Sequence, residues 1–240
     1  MRHTFLSFAT TLAVLAFGVI GFGPATSLQA QEGGGGVKAN LDLPFDAGGT
    51  NEEEEEAPEI VVFYGQQYEG DGIFFCCDKS GSMKEGTKFK KLQSEVTKNI
   101  TAFSERVQFG MAFFDADLEK FPASGKPADA SPAMKAAGIA YVMSQAADSG
   151  TCSKPALAAC LTYAQQSTAK RKVIIYLSDG FQHCKGQDPA VYGREALAEV
   201  TQRNTARAQI NAICIGIDVD EAWMRKLAQQ NGGSFARIRN

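Results

Sequence analysis

At 240 residues the chain has room for one domain of ordinary size with extensions, and 44% hydrophobic residues are enough to build its core. The formal charge of −3 hides an uneven distribution: one base against eleven acids over residues 31–72, then 22 bases against 16 acids from residue 73 onward. After residue 30 no stretch approaches the ~20 apolar residues of a membrane-spanning helix.

The first thirty residues read as a secretory signal peptide. Arg2 and His3 precede an apolar run over 5–22, then Gly23-Pro24 and a small-residue site ending at Ala30, after which cleavage is expected. An uncleaved anchor is the alternative, and the only route to a membrane. Residues 31–72 form an acidic, glycine- and glutamate-rich linker, with five consecutive glutamates at 52–56 and an extra edge strand expected near 59–65. The domain proper is expected over 73–240.

Strand and helix signals alternate from there. Residues 73–77 are apolar at every position, the mark of a strand buried on both faces. Residues 87–104 place Phe89, Leu92, Val96, Ile100 and Phe103 at helical spacing. A strand follows over 107–114, with a short edge strand hairpinned to it over 118–121. Ser131-Pro132 opens a helix to about 147, and Ser153-Lys154-Pro155 another to about 168. The run over 173–177 is again wholly apolar. Asp188-Pro189 caps a helix to about 204, and strand, helix and strand follow over 210–217, 220–230 and 235–238. Apolar strands separated by helices predict an α/β fold, a doubly wound and mostly parallel sheet with helices on both faces. Ligand sites of such sheets lie beyond the carboxyl ends of the strands. Asp78 closes the first apolar strand and Ser178-Asp179-Gly180 the central one, so both carboxylates fall on one rim.

The loop after the first strand, "DKSGSMKEGTK", invites two readings. As a phosphate cradle it has the wrong order: Thr87 stands where a P-loop needs its lysine, and Glu85 would repel phosphate. As a cation site it has Asp78, Ser80 and Ser82 at alternate positions, with Thr151 and Asp179 in other rim loops. With these segments in view, "FFCCDKSGSM", "SGTCSKPALAACL" and "VIIYLSDG" resemble the three signature segments of a von Willebrand factor type A (VWA) domain, whose fold is Rossmann-like. The resemblance covers 73–238. It implies a metal-ion-dependent adhesion site made by Asp78, Ser80, Ser82, Thr151 and Asp179, all five of which match. Such an all-oxygen set suits magnesium, with manganese and calcium as alternatives. The resemblance further implies a protein partner that completes the metal's coordination with an Asp or Glu side chain, and no catalysis. Its usual C-terminal helix has no residues to form it after 238, so affinity switching by that helix is not expected.

These features point to an exported, metal-dependent binding module, with localisation in a periplasm, on a cell surface or secreted. A scaffold subunit of a cell-envelope assembly is the alternative; a thiol hydrolase using Cys152 and His183 is a remoter one. The basic cluster Lys84, Lys88, Lys90 and Lys91 has no interleaved aromatics and predicts no nucleic-acid surface. Cys76, Cys77 and Cys214 read as small buried hydrophobes. Cys152 and Cys184 sit in loops that must converge on one metal, and a disulfide between them is expected. One of the glutamates at 52–56 is a candidate to occupy the open metal position in cis.

Overall fold

A computed structural model describes residues 57–217 and 219–239. The expected signal peptide, most of the acidic linker and the glutamates at 52–56 lie outside the described residues.

Two short strands, β1 (Ile60–Phe63) and β2 (Gln66–Glu69), pair antiparallel with each other alone. The extra strand expected at the sheet edge is therefore one arm of a separate hairpin, and its second arm falls in what composition assigned to linker. Alternation explains it: Val61 and Phe63 are buried while Ile60 and Val62 are exposed, and the Phe63 ring packs on Phe75 at 5.6 Å. The hairpin thus covers one face of the main sheet.

That sheet contains β3 (Gly72–Asp78), β4 (Gln108–Phe114), β5 (Leu118–Phe121), β6 (Ala128–Asp129), β7 (Lys172–Ser178), β8 (Gln209–Ile215) and β9 (Phe235–Ile238). The order is β5-β4-β3-β7-β8-β9, with β6 pairing to β4. Strands β4, β3, β7, β8 and β9 run parallel; β5 and β6 are antiparallel to β4. All seven residues of β3 are buried, as a central strand covered on both faces requires.

Helices α1 (Lys88–Ala102) and α2 (Pro132–Ser144) cover one face; α3 (Ser153–Gln166), α4 (Pro189–Arg203) and α5 (Glu221–Gln230) cover the other. Adjacent Cys76 and Cys77 fall into the two opposite core layers, so the period of two in β3 divides them as expected. The starts of three helices are written in the sequence. Ser131, Asp188 and Asp220 each accept a hydrogen bond from the backbone N–H three residues on, and Pro132 and Pro189 occupy the first turns. This mostly parallel sheet with helices on both sides is the α/β architecture expected. It places Asp78 and Asp179 at the carboxyl ends of adjacent strands.

Candidate metal centre

Asp78 is the last residue of β3 and is wholly buried. Its Oδ1 accepts the Ser80 N–H at 2.7 Å and its Oδ2 accepts the Ser178 hydroxyl at 2.6 Å. The first bond bends the chain out of the strand, and a 3₁₀ turn over Gly81–Lys84 follows. That turn brings the Ser80 and Ser82 hydroxyls within 3.1 Å of each other. Across the rim Asp179, 2% exposed, follows β7 and accepts the Phe181 N–H at 3.4 Å. Gly180 beside it has φ +92°, and a Cβ there would lie 2.8 Å from the Asp220 carbonyl, so the turn that presents Asp179 needs glycine.

Burial and the neighbouring Asp179 charge raise the Asp78 pKa to about 7, against the pull of the Ser178 and Ser80 hydrogen bonds. Asp179 is also raised, by burial first, while the Ser82 hydroxyl and the Phe181 N–H oppose the shift. Among the described residues neither carboxylate forms an ion pair. Two buried acids facing each other with hydroxyls around them are poorly accommodated when both are ionised. A small divalent cation would neutralise both. The described residues contain no group of three or more His, Cys, Asp and Glu side chains able to hold a metal, so a soft, thiolate- or imidazole-rich site is not what this rim provides. The donor set fits a hard cation instead.

Thr151 comes from the loop between α2 and α3, which is tied to both of the others. Its N–H donates to the His183 carbonyl at 2.8 Å and the His183 N–H returns to the Thr151 carbonyl at 3.2 Å. One residue on, Cys152 and Cys184 form a disulfide with Cα atoms 4.7 Å apart, the bridge expected from the converging loops. On the other side the Asp148 N–H donates to the Lys79 carbonyl at 2.7 Å, and the Cys152 N–H to the Asp115 carbonyl at 2.7 Å. The thiol-hydrolase alternative fails here: Cys152 has no free thiol to serve as a nucleophile, and His183 joins the rim through its backbone.

Four residues that sequence reasoning did not single out, Lys79, Asp115, Glu119 and Gln182, support the rim. Lys79, between the two motif residues, is buried with its Nζ 3.1 Å from Asp115 and 2.7 Å from Glu119. Burial disfavours its charge, but the hydrogen bonds to Glu119 and Asp115 outweigh that and raise its pKa. The triad fastens the first loop to the β4–β5 turn. Its only signal in the sequence is an acid at each of positions 115 and 119, unremarkable without the fold. Gln182, also buried, accepts the Ser153 hydroxyl and donates to the Gly180 carbonyl at 3.2 Å, bracing the Asp179 turn from below. Of the basic cluster, Lys88 pairs with Glu85 at 2.8 Å and Lys84 lies 3.8 Å from Asp148.

Residues 72–240 match the model of the von Willebrand factor type A domain. The human inter-alpha-trypsin inhibitor heavy chain H4 is 28% identical over 173 residues, 69% of this chain but 18% of that protein. A solved von Willebrand factor type A protein from Catenulispora acidiphila superposes with a TM-score of 0.63 at 20% identity, over 78% of this chain and 47% of that one. The manganese-loaded TRAP protein of Plasmodium vivax superposes at 0.50 with 16% identity, over 66% of this chain and 62% of its own. With the family model spanning the whole sheet and its helices, the chain belongs to the von Willebrand factor type A domain family.

Proposed function

We propose that Asp78, Ser80, Ser82, Thr151 and Asp179 hold a divalent cation, magnesium or in its place manganese or calcium, and that this cation recognises a carboxylate of a protein partner. Domains of this family serve as adhesion or protein-interaction modules. The observation that carries the finer reading is the pair of buried carboxylates, Asp78 and Asp179, set among hydroxyls with no base ion-paired to either among the described residues. Five side chains would leave a hard divalent cation short of the six or more oxygens it usually takes, so an acidic side chain from outside would complete its shell. When bound, the cation supplies the electrostatic attraction. The chain's own residues set its place: Ser178 and the Ser80 N–H fix the Asp78 carboxylate, and the disulfide and the Thr151–His183 pairing hold the other two loops against it.

The reading assigns no catalysis to the domain. It takes 1–30 as an export signal, 31–72 as a leader ending in the β1–β2 hairpin, and 73–240 as the binding module. No helix among the described residues is long and apolar enough to cross a membrane. The test is a manganese titration followed by thermal melting. Binding to the folded state alone stabilises by about 2.7 kcal/mol at a hundredfold excess over Kd. Wild type should melt higher with manganese, and Asp78→Ala should not. Equal shifts in both proteins would place the metal elsewhere. Recovery of an acidic partner from a surface or periplasmic extract should be lost with chelator.

A further inference from the structure

The opposite end of the same sheet holds a cavity of about 630 Å³, where β7 and β8 begin and the chain turns into β9. One wall is β2 of the hairpin, contributing Tyr68; another is the Gly232–Gly233–Ser234 turn. The turn sits hard against β8, since a Cβ at Gly233 would clash with the Ile210 carbonyl. This volume lies within the range of small-molecule sites.

Its charged groups are mostly bases, four against one acid. Asn211 is 3% exposed, and its Oδ1 accepts both the Ser234 N–H at 2.8 Å and the Ser234 hydroxyl at 2.9 Å. A backbone N–H can only donate, so the atom facing it must be the oxygen, and the orientation of the amide is settled. The Asn211 Nδ2 is then left with two hydrogens and no acceptor in the protein. The Tyr68 hydroxyl, on a side chain that is likewise buried, has only the Ser234 hydroxyl beside it, whose own hydrogen is committed to Asn211. A buried donor without an acceptor costs about 1–3 kcal/mol. Around these groups stand Lys170, Lys172 and Arg207, none in an ion pair among the described residues. Arg171 is held by Asp71 at 3.0 Å, and Glu69 is the single acid of the lining. Arg207 also has φ +51°, a left-handed backbone that costs a branched-off side chain energy and is retained where surroundings impose it.

We propose that this cavity binds a small oxyanion, the phosphate or carboxylate group of a low-molecular-weight ligand. The Asn211 amide and the Tyr68 hydroxyl donate to its oxygens, and Lys172, Arg207 and Lys170 balance its charge. The site is independent of the metal rim, being at the amino rather than the carboxyl ends of the strands.

The experiment is a titration of the full chain, isotopically labelled, followed through the Asn211 side-chain amide and the Ser234 backbone amide by NMR. Sodium phosphate and sodium succinate are added separately at fixed ionic strength, with chelator present throughout. Saturable shifts of both resonances are expected with at least one of the two; phosphate alone identifies a phosphoryl ligand and succinate alone a carboxylate. Lys172→Gln and Arg207→Asn, made separately, should each weaken that binding about tenfold, the worth of a charge-assisted hydrogen bond. Asparagine is chosen at 207 because it tolerates the left-handed backbone. The proposal is overturned if neither anion gives saturable shifts, or if both variants bind as tightly as wild type.

Discussion

At the carboxyl ends of β3 and β7 two buried acids face each other, neither in an ion pair among the described residues; at the amino ends of β7 and β8 four bases line a cavity, and only Arg171 of them is ion-paired among the described residues. Parallel strands make this division natural, because every loop that follows a strand gathers on one rim and every loop that precedes one gathers on the other. The two ends differ in how their charge is held. The acids are buried, hydrogen-bonded and braced by a disulfide and an ion triad, whereas the bases are exposed or half-buried on flexible stems. Charge that must stay in a fixed place for a small cation needs such bracing; charge that attracts a soluble anion needs much less.

The largest effect should come from removing the brace. Lys79→Ala leaves Asp115 buried without its cation, a loss of about 3–5 kcal/mol, or roughly 10 °C in melting temperature for a domain of this size. Melting within 2 °C of wild type would show that the rim does not depend on this pair. Next is the pH response of the metal-free protein. Folding raises the Asp78 pKa from 3.8 to about 7, so between those values the folded state keeps a proton that the unfolded chain has released. Stability should therefore fall as pH rises from about 4 to about 7, by ~4 kcal/mol at most, and Asp78→Asn should flatten the slope. Manganese should reverse it, because the cation binds the ionised carboxylate and its stabilisation grows over the same window. A slope unchanged in Asp78→Asn would assign it to another group.

How much of this was legible in the sequence follows the range of each interaction. The apolar strands and the capped helices are local patterns, and Asp78 and Asp179 stand out because each ends an apolar run. The Cys152–Cys184 bridge was legible at one remove, once both loops were assigned to one rim. The β1–β2 hairpin was half legible: Val61 and Phe63 alternate as a strand should, but β2 carries only Tyr68 as a buried residue and gives no period to read. What the pattern could not supply is which distant side chains meet. Ser178 reaches Asp78 across 100 residues, Lys79 reaches Glu119 across 40, and Asn211 is spent on Ser234 only because β8 pairs with β9.

A smaller effect should follow from opening the disulfide. Its loop spans a sequence separation of 32 residues, for which closure contributes about 3.7 kcal/mol at most. The Cys152→Ala/Cys184→Ala variant should melt lower by that measure and also need more manganese for half its thermal shift, since the Thr151 segment is then tied to the Asp179 loop by the two His183 backbone bonds and the Ser153–Gln182 hydrogen bond without a covalent link. Loss of stability with unchanged manganese affinity would reduce the bridge to a staple.

The smallest effect distinguishes the other end. Lys172→Gln and Arg207→Asn remove charges that no acid pairs, so each should change stability by no more than about 0.5 kcal/mol in the absence of ligand. For Arg207→Asn the sign is expected to be favourable, because asparagine enters the left-handed region at lower cost than arginine. Urea denaturation of wild type and both variants measures this directly, and the comparison with Lys79→Ala is the informative one. If the bases at the amino end prove as costly to remove as Lys79, they are holding the fold together. A near-zero cost, joined to a loss of anion binding, would mean that their charge is there for something outside the chain.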